Sequence, residues 1–513
     1  MAAIYIRHSS TLYTPCTSIG ITPSSSRWSL QQGWRVFYGS TGLTPRTSSW
    51  DGLGAGGGKP SSAQVASLTN VILYGLFTLC GWFGGSLLNI LKPKKSVMLG
   101  SIGYPLYVAG LWYYDRTGHS WFPLLAGALL GSLCGPLWTA AAFIQFAYPQ
   151  EKDKAKFISI QWMLRSTGAT VGAIIAFAAN FHQHKAVGVS SAVYGTFTAI
   201  HCLPFFLALF FLVDPQKVVR KDGTHIAVFK PTKLSTELKS MARAFFDPRM
   251  FILFPAILGC EMGLALFYTN MRVGAFYFNL RTRSLNNLAF HSIQVFMPWV
   301  MVFILDNRQV KSRKTRGFVG VAFIAAISLG ASAGLYAWLD INHIGSLKKP
   351  QAKDWTDPEF GGMFALFLLF GAIYAAYQMT IEWVVSALTN DPSKLAQFGG
   401  VFKGTLSLGI CLSFVMAAQN VPFVGQLSLQ FSTDEDRLYV IGVIGMVYVL
   451  VVYVKETNYF TEENVIAPLS VEEQARVAGL VTEEQIESEA AKNKVAGMNA
   501  KDRKQDAEII ENA

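Results

Sequence analysis

Ionisable side chains stand inside long apolar runs of this chain, where burying a charge in hydrocarbon is costly and calls for a reason. Glu261 lies in AILGCEMGLALF, Glu382 in QMTIEWVV and Arg165 in QWMLRSTGAT. Gln378 precedes Glu382 by one helical turn, and Lys403 stands in the following run. Carboxylates so placed can bind and release a proton or a cation. Glu261, Glu382, Arg165 and Gln378 are therefore the candidate substrate- or ion-binding residues. The competing reading is an interhelical hydrogen bond or ion pair that only holds helices together. Arg165 and Lys403 also lie close enough to run ends to snorkel. His201 and His291 read as packing residues.

No catalytic constellation accompanies them, and an enzyme is not expected. Cys80, Cys134, Cys202, Cys260 and Cys411 fall in apolar runs, Cys16 is isolated, and no CxxC or Cys/His cluster suggests a metal. The glycine-rich GLGAGGG (52–58) lacks the Lys-Ser/Thr that a phosphate-cradling loop requires. No cofactor is expected. The net charge of +11 is not a nucleic-acid signal, because the excess base lies in short loops between apolar runs.

The elements that must position these residues are membrane helices. The chain is 51% hydrophobic and only 15% charged. About eleven apolar stretches approach the roughly 20 residues a helix needs to cross a bilayer. They cover about 65–91, 97–114, 122–148, 157–181, 187–213, 250–270, 285–305, 316–339, 359–388, 395–418 and 437–455. The expected fold class is an all-α polytopic membrane protein in contact with lipid. Alternate loops are markedly basic, with Lys92, Lys94 and Lys95; Lys152, Lys154 and Lys156; the stretch 214–249; and Arg308 to Arg316. Those loops should be cytoplasmic, as should the C-terminus. SVEEQ (470–474) and TEEQ (482–485) read as helix-capping boxes in the polar tail. Residues 1–49 are rich in Arg and Ser and poor in acid. They read as a mitochondrial-type leader, a disordered tail, or a segment foreign to the natural N-terminus.

Two loops carry a further pattern. GGSLLNILKPKK (84–95) resembles the loop signature of the major facilitator superfamily, with Gly85 and Leu87 in place, Asn89 for the acid, and Lys94 and Lys95 supplying base. Lys92 stands where that signature has its second glycine. LDNRQVKSRKTRG (305–317) echoes it half a chain later, with Asp306 and Arg313. Gly85, Asn89, Lys94, Asp306 and Arg313 are the loop-signature candidates. Longer segments resemble the Unc-93-like branch of that superfamily in its fungal form: GLGAGGG, GSIGYPLYVAG (100–110), RTRSLNN (281–287) and YQMTIEWVVSALTNDPSKLAQFGGVFKG (377–404). Tyr374 departs from the branch, standing where an acid is expected, and Glu382 stands where an aromatic is usual.

The resemblance implies a major facilitator fold of two six-helix halves. The loop at 84–95 would join the second and third helices, so the first helix is expected to be missing and residues 1–49 to be non-native. The division becomes 50–213 for the N-terminal half, 214–249 for an inter-half loop, 250–455 for the C-terminal half and 456–513 for the tail. The implied function is a secondary transporter that moves an unknown small solute or ion by alternating access. The alternative is a non-transporting regulator or trafficking partner of another membrane protein. The expected location is a plasma or endomembrane.

Overall fold

The computed structural model describes residues 62–147, 154–182, 191–212, 234–262, 276–307, 309–344, 351–389, 392–419, 421–422 and 438–454. The expectations for 1–49, the glycine-rich 52–58, the tail beyond 455 and the Asn89 side chain lie outside these. In chain order the helices are α1 (Ser62–Trp82), α2 (Gly84–Thr117), α3 (Trp121–Ala147), α4 (Lys154–Asn180), α5 (Ser191–Phe211), α6 (Leu234–Phe245), α7 (Pro248–Gly259), α8 (Leu280–Leu305), α9 (Arg313–Ile341), α10 (Phe360–Ser386), α11 (Pro392–Ala418) and α12 (Leu438–Val452). The strand-like pairing among the described residues is an isolated bridge between Phe278 and Lys353.

Among the described residues six helices are long and apolar enough to cross a membrane: Gln64–Trp82, Trp121–Phe146, Leu280–Leu305, Arg313–Ile341, Phe360–Ser386 and Lys394–Ala418. Shorter apolar helices join them at Tyr194–Phe210, Pro248–Gly259 and Leu438–Val452. Leu79, Phe206, Phe251, Trp299, Phe303, Ile341 and Ile444 are all exposed. An apolar coat of this kind suits hydrocarbon rather than water. The interior is different: every residue of α10 from Ile373 to Ser386 is buried.

The run read as 65–91 is not one helix. It is interrupted at Phe83, and α2 breaks again at Lys92, which takes φ 63° and ψ 157°. Pro93 follows the second break; it offers no N–H to the helix and disfavours helical geometry in the preceding residue.

Close backbone contact holds the first helices together. Gly127, Gly131 and Gly135 recur every four residues and so line one face of α3. A Cβ on Gly127 would lie 2.9 Å from the Thr69 carbonyl oxygen, one on Gly131 3.0 Å from Leu73 Cα, and one on Gly135 2.6 Å from Cys80 carbonyl carbon. Small residues let helices approach this closely, which replaces the hydrophobic drive that lipid does not provide.

Helices α1–α5 and α7–α12 meet along two antiparallel seams. In the first, α1 crosses α11. A Cβ on Gly81 would sit 2.8 Å from Gly404 Cα, and one on Gly400 3.0 Å from the Gly85 nitrogen. The Trp82 indole donates to Thr405 Oγ1 at 3.2 Å, and farther along Tyr74 stacks on Phe414 at 5.8 Å. In the second seam α4 lies against α8, with Ser159 donating to the Pro298 carbonyl at 3.2 Å and Asn180 donating to Ser284 Oγ at 3.0 Å.

The stretch 214–249, read as a linker, contains α6. Met241 and Ala244 of α6 are buried. A Cβ on Gly85 would lie 2.9 Å from Met241 Sδ, the Gln397 amide donates to Ser240 Oγ at 2.8 Å, and Phe245 meets Trp82 edge-on at 5.2 Å. The linker helix therefore closes over the end of the α1–α11 crossing.

Candidate functional site

The interior charges assemble on α7, α10 and α11. Lys403 Nζ lies 2.8 Å from Glu382 Oε1, and the two side chains are only 4% and 2% exposed. Gln378, one turn before Glu382, donates from Nε2 to the same oxygen at 3.4 Å. Lys403 therefore does not snorkel; its stem reaches across to α10 and its charge is neutralised there. Glu261 is buried just past the end of α7. Glu261, Lys403 and Glu382 all lie close enough to Cys260 to act on its thiol electrostatically. Three of the four candidate binding residues, Glu261, Glu382 and Gln378, thus fall in one region.

Polar capacity remains there. Among the described residues Glu382 Oε2 and Gln378 Oε1 have no hydrogen-bond partner; elsewhere, on α8 and before Phe290, the side chains of Asn286 and Asn287 have none either. Both asparagines are fully buried. Each unsatisfied buried group costs about 1–3 kcal/mol unless water or a solute pairs with it.

Arg165 stands apart. It lies on α4, with its guanidinium carbon 4.9 Å from the Trp138 ring centre and 4.8 Å from that of Trp162. Among the described residues no carboxylate pairs with it. Trp162 also contacts Tyr374 of α10 at 5.9 Å, and Tyr374 contacts Phe290 of α8 at 5.6 Å. Trp162 is legible from the sequence as the i−3 neighbour of Arg165; Trp138, on α3, is not.

The loop-signature residues divide between the seams. Gly85 lies in the α1–α11 crossing described above. Lys94 is half-buried beyond the Lys92 break. Asp306 reaches the other half of the chain: its carboxylate accepts from the backbone N–H of Ala155 at 3.3 Å and of Lys156 at 2.8 Å. These are the first amides of α4, where unpaired N–H groups and the helix dipole favour a negative charge. Lys154 adds a hydrogen bond from Nζ to the Ser386 carbonyl of α10. Arg313 is buried at the start of α9, its guanidinium 5.8 Å from the Trp383 ring centre.

The opposite end of the α4–α8 seam is closed by different chemistry. Trp355, from the segment before α10, packs against Phe177 at 5.8 Å and Phe181 at 5.5 Å. Arg281 lies over the same indole at 4.6 Å and pairs with Asp354. Asp354 also accepts from Asn279 Nδ2 and Thr282 Oγ1, each at 2.9 Å. The hydrogen bonds from Arg281 hold the Asp354 carboxyl below the usual carboxylate range, with those from Asn279 and Thr282 adding to the effect and burial opposing it.

Two helix groups joined along antiparallel seams, with ionisable groups inside, define a membrane protein of the major facilitator fold. The chain is similar in fold to the proton:xylose symporter XylE, with a TM-score of 0.52 at 12% identity over 87% of this chain and 97% of that one. A family model described as "Ion channel regulatory protein UNC-93" matches residues 66–328. The chain is 38% identical over 380 residues to an uncharacterized membrane protein of Schizosaccharomyces pombe, covering 74% of this chain and 77% of that protein. It is 31% identical over 411 residues to UNC93-like protein 1 of Arabidopsis thaliana, covering 79% and 86%. The chain belongs to the UNC-93 family.

Proposed function

We propose that this protein is a secondary transporter that moves a small solute or ion by alternating access between its two halves. One observation carries the reading. The halves meet through a breakable electrostatic cap, Asp306 on the first turn of α4, at one end of a seam whose other end is closed by the Trp355 aromatic cluster. A rocking pair needs closures that open in alternation. The division into residues 50–213 and 250–455, with 214–249 between them, follows from the same reading. So does a cytoplasmic position for the end that carries Lys92, Lys94 and Arg313. Glu382 and Glu261 are the proposed proton- or cation-binding groups, with Lys403 as the internal cation that a proton on Glu382 would release.

Uptake by full-length protein in proteoliposomes under an imposed proton gradient tests this, using a broad panel of solutes. Accumulation above empty vesicles that falls in Glu382→Gln and in Glu261→Gln is the expected result. Wild type and variants all matching empty vesicles would overturn it.

A second reading, a non-transporting regulator or trafficking partner of another membrane protein, is favoured by the description of the matching family model. Affinity capture from native membranes tests it. Recovery of a stoichiometric channel or receptor would support it, and recovery of the protein alone would count against it.

A further inference from the structure

We infer that Arg165, between Trp138 and Trp162, is the anchoring group of a binding site for planar organic monoanions bearing a carboxylate. The inference rests on the transport reading only in taking the space between the halves as the solute's place.

The position of Arg165 on its helix is the first ground. Thr167, Val171, Ile174 and Ala178 are exposed at helical spacing and form the outward stripe of α4. At about 100° per residue Arg165 points roughly 160° away from Thr167, toward the interior. It is nevertheless only half-buried. Its exposure is therefore to space inside the bundle, not to lipid.

The chemistry of the guanidinium is the second. Lys403 has its charge neutralised by Glu382. Arg165 has no such partner among the described residues, and its Nε is shielded from solvent with nothing accepting its proton. The two indoles stabilise the cation through their ring faces, but a ring face is a poor substitute for acceptors along the guanidinium edge. A fork of N–H donors matches the two oxygens of a carboxylate.

The walls define the rest of the ligand. Trp138 and Trp162 flank the guanidinium with aromatic surface, and Tyr374 extends that surface from Trp162, which suits a flat apolar body attached to the anionic group. Tyr374 belongs to α10 and Trp162 to α4, so the aromatic wall beside Arg165 continues onto the other half.

Benzoate is the probe, with benzamide as its uncharged isostere and inorganic phosphate as an anion without an apolar body. Equilibrium dialysis with purified full-length protein in detergent measures binding without requiring transport. The expected result is saturable benzoate binding, roughly tenfold or more tighter than benzamide or phosphate, as a charge-assisted bidentate contact predicts. Arg165→Gln should abolish it and Arg165→Lys should weaken it, because a point charge lacks the fork. Arg116→Gln, which removes an exposed cation remote from the site, should leave it unchanged. If Arg165→Gln fails to fold, the Arg165→Lys comparison decides. Benzoate binding no tighter than benzamide or phosphate, or unaltered in both Arg165 variants, would overturn the inference. Benzoate that binds but is not accumulated by vesicles would support the site while counting against transport. Uptake of other solutes without benzoate binding would do the reverse.

Discussion

Lys403 on α11 and Glu382 on α10 form an ion pair with a 2.8 Å contact, both side chains almost wholly withdrawn from the surface. Removing one partner strands the other charge, which typically costs about 3–5 kcal/mol. Lys403→Met should therefore lower the stability of the purified protein by about that much. The double variant Lys403→Met/Glu382→Gln should be more stable than Lys403→Met alone, because it leaves no orphaned charge. Chemical unfolding in detergent measures both variants and the single Glu382→Gln, against wild type. Simple additivity of the single effects would show that the two residues are not coupled.

The two closures of the α4–α8 seam should respond in opposite ways. Asp306→Ala removes the acceptor for the first amides of α4, a loss of about 0.5–2 kcal/mol for a helix cap. Trp355→Ala removes the aromatic contact at the other end. Spin-label distances across each end should lengthen at the Asp306 end in the first variant and at the Trp355 end in the second. Lengthening at the same end in both would sink the rocking arrangement.

Lys92 holds a backbone conformation, φ 63° and ψ 157°, that side chains rarely tolerate. Such positions cost on the order of 1–3 kcal/mol, partly offset in glycine by its greater freedom when unfolded. Lys92→Gly should raise stability by up to about 1 kcal/mol. Lys92→Ala keeps the Cβ and loses the charge, and should give no gain. A thermal unfolding series of the three separates backbone relief from loss of the ammonium.

Asp354 predicts an acid-sensitive step. Its carboxyl is held below the usual range, chiefly by hydrogen bonds from Arg281. The folded protein therefore binds this proton less readily than the unfolded chain does. That stability is fully present above the unfolded carboxylate pKa of about 3.9 and is lost as pH falls below it. Unfolding midpoints should be insensitive to this group from neutral pH to about pH 5 and should drop below about pH 4. Arg281→Gln should flatten that drop, and an unchanged acid slope would refute the assignment.

The helices were legible because hydrocarbon demands long apolar runs, and such runs survive uncertainty about their ends. The break at Lys92 also has a local signal, since Pro93 follows it. The partner of Glu382 was not legible, because helical spacing says nothing about which neighbouring helix supplies a cation. The Asp306 cap joins segments about 150 residues apart, and only the packing of α4 on α8 brings them together. Helix α6 was hidden because its apolar side is short and lies within a basic, proline-bearing stretch. The Trp162 flank of Arg165 follows from a three-residue offset on one helix, whereas the Trp138 flank depends on how α3 meets α4.

The crossing at Gly81 and Gly404 constrains motion as well as packing. Backbones that touch leave no cushion of side chain to compress. Shifting either helix by one residue along its screw would bring Thr405 or Trp82 to a place with no room for a Cβ. Axial slippage is therefore blocked, while tilting about the contact is not. In the alternating-access reading proposed above, the same two glycines make this point a fulcrum, about which the ends of α1 and α11 swing while their register stays locked.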